Sequence, residues 1–519
     1  MITLETLTSL VGSSVHKQGR ELHVSVARDR FTPLVSTLVQ AHQLPLALLF
    51  GTDDRSTSQT FGVHAVCSLV DTHEWLVIST QLPESDPRYE SLTKTVMAAH
   101  WYERYLADMF GVIPEGHPDA RRLVHHENVP EGTHPLRKDF AWNTRMEKAD
   151  IPYPMHHVEG NGIYEIPVGP IHAGIIEPGH FRFNVGGERI ITLEGKLFFT
   201  HKGVEKLVEG KTPEEALPFI ERVSGDASAS HALAFCQAIE AISGSSTLPE
   251  RAEYLRALLC ELERVTMHVH DVSNMAGMGT GYTLMAAQGF RMKERLMRLS
   301  ERLVGNRFWR GAITVGGCTN DFSEENLRDI AQTIEEVANE IRYFIDLGLR
   351  SSGLRERLET TGILSREAAI AYGALGLPAR ASGVDYDVRR DHPYGVYGRL
   401  SVTVPLKKYG DVLARFFLRS KELDVSFDLI RSILKEIKTG PVKVAVNVKD
   451  GSALGAVESW RGQILTFVAL EDGRVSRCFP RDPSFCNWAL FGELGPGNIV
   501  PDFPLCNKSL NLSYSGTDL

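Results

Sequence analysis

Pro249-Glu250-Arg251-Ala252-Glu253-Tyr254-Leu255-Arg256-Ala257-Leu258-Leu259-Cys260-Glu261-Leu262-Glu263-Arg264-Val265-Thr266-Met267-His268-Val269 sets the fold class. Its apolar positions Leu255, Leu258, Leu259, Leu262, Val265 and Val269 recur every three or four residues, the period of an amphipathic helix. Leu327, Ile330, Ile334, Val337, Ile341 and Phe344 form a second such stripe, with Ser323 as N-cap and Gly348 as stop. Ser365–Leu375 and Gly410–Lys438 predict two more helices, the last closed by Gly440-Pro441. Stripes this regular are core faces of a helix bundle. Before them, His180–Val185 and Glu188–Leu193 flank Gly186-Gly187 as a hairpin. After them, Lys443–Val448 and Gln463–Ala469 predict a short β tail.

Upstream, residues 1–145 read as an α+β domain. Glu21–Ala27 alternates Leu22, Val24 and Val26, and Phe61–Val70 and Trp75–Ser79 are rich in Val, Ile and aromatics, the pattern of strands. A helix is predicted from Tyr89 to Met109, stopping near Gly111. Residues 146–162 read as a linker to a second unit, 163–519, so the fold class is an α+β domain followed by a mainly helical bundle with small sheets.

Composition bounds the function. The chain has 519 residues, 43% hydrophobic and 23% charged, enough for a large core. A net charge of −9 without a basic stripe argues against nucleic acid. No apolar run spans a bilayer, and Met1-Ile2-Thr3-Leu4-Glu5 lacks a signal-peptide pattern, so a cytoplasmic chain that reaches a membrane through partners is expected. The seven cysteines form no C-x-x-C and sit among apolar residues, which predicts reduced, buried thiols and no iron–sulfur cluster in this chain.

Several polar stretches lie outside the stripes. Arg222-Val223-Ser224-Gly225-Asp226-Ala227-Ser228-Ala229-Ser230-His231 and Asn511-Leu512-Ser513-Tyr514-Ser515-Gly516 resemble the R-x-C-G-x-C-x-x-x-H and D-P-C-x-x-C motifs of [NiFe]-hydrogenase large subunits. The four cysteine positions hold Ser224, Ala227, Ser513 and Gly516. Thiolates hold nickel and iron, whereas hydroxyls stay protonated at neutral pH and Ala and Gly offer no donor. Pro167–His172, Glu177–Phe181, Thr200–Leu207, Glu261–His268, Asn306–Gly311, Ala379–Arg389 and Gly410–Arg415 follow the order of the large subunit shared by complex I and energy-converting hydrogenases. Tyr102–Gly111 with Gly116–Arg122 is similar to the signature of the small hydrophilic complex I subunit, in which His117 and Arg121 belong to a packed, salt-bridged loop. Small and large subunits are thus joined in one chain, as in formate hydrogenlyase-type hydrogenases.

The resemblance implies a peripheral, NADH:quinone oxidoreductase-like or hydrogenase-like subunit on the cytoplasmic face of the inner membrane. It would sit between an iron–sulfur small subunit and a membrane arm with antiporter-like subunits. Its cavity would receive a quinone in place of nickel–iron, coupled to proton or cation movement. His172 takes the position of a headgroup-binding His, with a loop-capping role as the alternative. Asp226 is the expected proton relay, or else a capping Asp, and Ser224 and His231 complete the expected cavity. Two departures stand against this: Ser224 and Gly225 replace a Tyr of the complex I relatives, and Met278 holds the slot of an Asp. Asp271 matches the hydrogenase branch instead. The other role open to the chain is a non-catalytic scaffold.

Overall fold

The computed structural model describes residues 14–173, 176–244 and 247–519, Met278 by its backbone alone; the N-terminal residues Met1–Glu5 read for a signal peptide lie outside it. The first unit is a five-stranded sheet, β1 (His16–Gln18), β2 (Glu21–Ser25), β3 (Leu46–Asp53), β4 (Thr60–Leu69) and β5 (Glu74–Pro83), in the order β1-β2-β5-β4-β3. Only β2 and β5 run parallel; the other pairs are antiparallel. Helices α1 (Arg28–Gln40) and α2 (His100–Phe110) pack on β5 and β3. The helix expected from Tyr89 begins only at His100: Arg88–Glu90 pairs as a short strand, and Ser91 and Thr93 bond to the buried Glu103 carboxylate instead of continuing a helix. Gly111, at φ +73°, stops the helix in the left-handed conformation that glycine adopts freely.

The signature after this helix is structural. Asp108 accepts from the backbone N–H groups of Leu123, Val124 and His125, Arg104 donates to the carbonyls of Arg121 and Arg122, and Arg121 pairs with Asp119. Residues 146–162 run extended to a three-stranded sheet, β6 (Ile163–Val168), β7 (His180–Gly186) and β8 (Arg189–Lys196), whose β7–β8 hairpin turns at Gly187 and Glu188.

The bundle consists of α3 (Ser228–Ile242), α4 (Glu250–Thr280), α5 (Thr283–Val304), α6 (Glu324–Leu349) and α7 (Val412–Glu436). α4 lies at its centre against α5 and α7, with its predicted stripe buried. Ser323 caps α6 through a reciprocal capping box, and Asp411 caps α7 by accepting from the Ala414 N–H. Between α6 and α7 the helix predicted over Ser365–Leu375 is reduced to Arg366–Ala371.

The C-terminal sheet differs from the expectation. Lys443–Val448 forms no strand; it runs beside Gly316 and Gly317, where the Val444 N–H donates to the Gly316 carbonyl and the carbonyl of the preceding Val442 accepts from the Cys318 N–H. The sheet consists of β9 (Gly451–Ser459), β10 (Gly462–Glu471) and β11 (Arg474–Arg481), all antiparallel, with β9 and β10 against α3. Gly455 permits that contact: a Cβ there would lie 1.8 Å from the Ala234 carbonyl oxygen. The first unit docks on this sheet, with the rings of Phe50 and Phe467 4.1 Å apart and Arg477 Nε donating to the Gly51 carbonyl at 3.0 Å. One apolar core therefore runs through both units. Helix α8 (Phe503–Leu510) and the short helix Tyr514–Asp518 close the fold against α4 and Pro483–Asn487. No helix among the described residues is long and apolar enough to cross a membrane.

Candidate functional site

The turn before α3 and the end of the chain meet. Ser224 and Ser513 are both buried, and their hydroxyl oxygens are hydrogen-bonded at 2.9 Å. Ser513 Oγ also accepts from the Gly516 N–H at 2.8 Å, capping the last short helix. Ala227 packs with Met267 and Trp460. The four positions that resemble metal-ligand slots thus present two mutually bonded hydroxyls, a methyl group and no side chain. Among the described residues no group of three or more His, Cys, Asp and Glu is placed to hold a metal ion. This donor set does not fit a nickel–iron group, which needs thiolates.

A guanidinium crosses the same place. Ser459 pairs with Gly462, so Trp460 and Arg461 form the two-residue turn that joins β9 to β10, and that turn aims Arg461 inward. Its Nη1 and Nη2 meet the two Asp226 oxygens at 2.6 and 2.7 Å, Nη1 reaches Ser224 Oγ at 3.2 Å, and Nε donates to the Asn511 carbonyl at 2.6 Å. Trp460 backs the guanidinium at 3.9 Å and donates from its indole N–H to the Asp226 carbonyl. Burial works to raise the Asp226 pKa, but Arg461 and the Ser224 hydroxyl outweigh it and hold the carboxyl below its ordinary range. A carboxylate held so firmly carries a fixed charge, which tells against the expected proton relay.

Next to this pair lies a cavity of about 460 Å³, lined by Asp226, Arg461, Arg310, Phe308, Lys508 and Tyr514 among others. Ser224 sits behind its Asp226 wall. His231 is fully buried and donates from Nε2 to Asp482 at 3.0 Å; burial would raise the Asp482 pKa, but this bond and the Arg461 charge hold it at about 2. His172 is half-buried: its Nδ1 lies 3.0 Å from the Pro170 carbonyl, and its Nε2 lies 3.4 Å from the Tyr514 hydroxyl that borders the cavity.

Asp271, on α4, pairs with Arg419 at 2.6 Å and accepts from Asn511 Nδ2 at 2.6 Å, so it touches the site through the C-terminal segment. His268 bonds to Glu422, and Glu422 to Arg380, which also meets Glu458 and Asp387. The motif Ala379–Arg389 and the helix α4 carboxylates thereby form a buried ion-pair cluster that fastens α4, α7 and β9 together. Arg461 escaped the sequence reading, although Trp460-Arg461-Gly462 at a tight turn carried the signal.

The comparisons agree with this architecture. Residues 24–146 match the family model of the respiratory-chain NADH dehydrogenase 30 Kd subunit, and residues 279–448 that of the 49 Kd subunit. Formate hydrogenlyase subunit 5 of Escherichia coli (strain K12) is 32% identical over 515 residues, covering 96% of this chain and 89% of the relative. Membrane-bound hydrogenase subunit alpha of Pyrococcus furiosus is 31% identical over 373 residues, covering 68% and 87%. A chain of the membrane-bound sulfane sulfur reductase, an archaeal respiratory membrane complex, superposes with a TM-score of 0.66 at 26% identity, covering 70% of this chain and 100% of that one. The chain therefore belongs to the family of fused 30 Kd and 49 Kd complex I-type subunits that includes the formate hydrogenlyase subunit, and it is a peripheral subunit of a complex I-like, hydrogenase-type membrane complex.

Proposed function

We propose that this subunit forms, without a nickel–iron centre, a cavity in which a quinone-type acceptor receives electrons from an iron–sulfur partner. The observation that carries this reading is the direct Ser224–Ser513 hydrogen bond, with Arg461 across it, where the related motifs carry thiolates. The neighbouring cavity is within the size range of small-molecule sites. The Tyr514 hydroxyl, with His172 Nε2 behind it, would meet a carbonyl oxygen of the headgroup. An imidazole can donate a hydrogen bond to such an oxygen and a proton on its reduction. Asp226 and Arg461 would hold the wall in place as a fixed ion pair. In this reading the iron–sulfur small subunit and an antiporter-like membrane arm are the partners, on the cytoplasmic face of the membrane.

The test is purification of the intact complex from detergent-solubilised membranes, with this chain tagged. An iron–sulfur protein should co-purify, quinone reduction should follow the complex, and elemental analysis should find no nickel in proportion to the chain. Stoichiometric nickel would overturn the reading. Turnover that is indifferent to the cavity, with the complex assembled, would instead favour a non-catalytic scaffold.

A further inference from the structure

With Asp226 held by Arg461, the charge around the cavity does not balance. Lys508, half-buried on α8, lines the cavity with no hydrogen bond or ion pair among the described residues. Arg310 also lines the cavity, and its only hydrogen bonds among the described residues, to Gly225 O and Ser228 Oγ, are both long at 3.4 Å. Lys293 on α5 is also half-buried and without an ion pair among the described residues, within electrostatic reach of Asp226 and Asp271. The acids nearby are engaged elsewhere: Asp226 with Arg461, Asp271 with Arg419, Glu177 with the Ser515 N–H at 2.9 Å, and Glu221, which lies within electrostatic reach of Arg310, with the Gly311 N–H at 2.6 Å. Even with Glu177 and Glu221 counted against them, Lys508, Arg310 and the nearby Lys293 leave an excess of positive charge. Partly desolvated ammonium and guanidinium groups without a counter-charge are costly, and an anion placed among them relieves that cost.

Phe308 and Tyr514 also line the cavity, and their aromatic rings suit a planar ligand. We propose that this cavity is an anion site, which binds a small planar anion with Lys508 and Arg310 as its cationic wall. The proposal rests on the acceptor reading above and deepens it: the form of the acceptor held most tightly is its negatively charged one.

The purified complex tests this with three ligands. They are 2-hydroxy-1,4-naphthoquinone, which is an anion at neutral pH; its neutral 2-methoxy ether; and 1-naphthoate, a planar anion that is no quinone. The expected result is binding of both anions about tenfold tighter than the ether, the worth of roughly one good ion pair. Lys508→Gln should erase that preference and Lys508→Arg should keep it, which separates loss of charge from loss of fold. If naphthoate binds but neither quinone is reduced, the anion site stands and the acceptor reading falls. If the ether binds as well as the anions and Lys508→Gln changes nothing, the anion site is refuted while the acceptor reading survives. If no ligand binds, the proposal is overturned.

Discussion

Ser224 and Ser513 stand 289 residues apart in sequence, and their hydroxyls touch at 2.9 Å. What holds the two segments in register is Arg461, which is bonded to Ser224 and Asp226 on one side and to Asn511 on the other. A cation with several directed donors can join two loops as a bound metal would, and a guanidinium does so with fixed geometry.

Arg461→Met should therefore loosen the end of the chain as well as the ion pair. It leaves the Asp226 carboxylate without its counter-charge, with only the Ser224 hydroxyl still donating to it, at a cost on the order of 3 kcal/mol, the low end for a broken buried pair. The low end applies because 31% of the Asp226 side chain still meets solvent. Denaturant unfolding measures the loss, and hydrogen exchange over residues 503–519 should rise with it. Unchanged exchange there would show that Arg461 does not fasten the C-terminal segment.

Gly516→Cys should destabilise the chain instead of restoring a ligand. A Cβ at this position would lie 2.9 Å from Asp482 Cγ and 3.0 Å from Ser513 Oγ. Asp482 cannot easily give way, because His231 and the Ser484 N–H both hold its carboxylate. The overpacking should cost about 1–3 kcal/mol. A thermal unfolding midpoint equal to that of the unaltered chain would refute this account of the site's packing.

Stability should also fall between about pH 5 and pH 7 through Glu263. This carboxyl is fully buried against the start of α3, accepting from the Ala229 and Ser230 N–H groups and the Ser230 hydroxyl. Burial pushes its pKa from the ordinary 4.5 up to about 7. A raised folded-state value means that the stability it contributes is complete below the unfolded pKa and is lost as pH rises through the folded one. The change is on the order of 3 kcal/mol. Glu263→Gln keeps an acceptor for the helix start and should flatten this slope; an unaltered pH profile in that variant would assign the dependence elsewhere.

The legible parts of this chain were those in which one side chain does one job. The α4 stripe and the Ser323 cap follow from local periodicity and capping chemistry and form as read, while the β7–β8 hairpin forms with its turn shifted by one residue, to Gly187 and Glu188. β9 was missed because Gly451, Ala453, Gly455 and Ala456 read as a weak strand; they are small because α3 lies almost against the backbone there. The run Lys443–Val448 has a strand pattern, but among the described residues it finds only the short edge at Gly316 and Gly317. At the site, the resemblance of the two segments to hydrogenase ligand motifs singled out Ser224 and Ser513, whose hydroxyls meet. It could not reveal Arg461, which comes from a turn 237 residues after Ser224 and 50 residues before Asn511 and belongs to neither motif.

His172 remains the decisive residue for the function proposed above. It touches the cavity only through Tyr514, with 3.4 Å between Nε2 and the phenol oxygen, while its other nitrogen is bound to the Pro170 carbonyl. The phenol is kept protonated, since burial pushes its pKa well above the ordinary value. If the two act together on a headgroup oxygen, Tyr514→Phe should lower quinone turnover by about tenfold or more, the usual reach of a lost proton-transfer partner. His172→Ala should lower it at least as far. The double variant should then lose little beyond the worse single one, because groups acting as a unit are not additive. Assembly, read from co-purified subunits, should be untouched in all three, since neither side-chain polar group is needed to pack the core. Additive losses would separate the two residues, and subunits lost along with turnover would leave His172 as a structural cap of its loop.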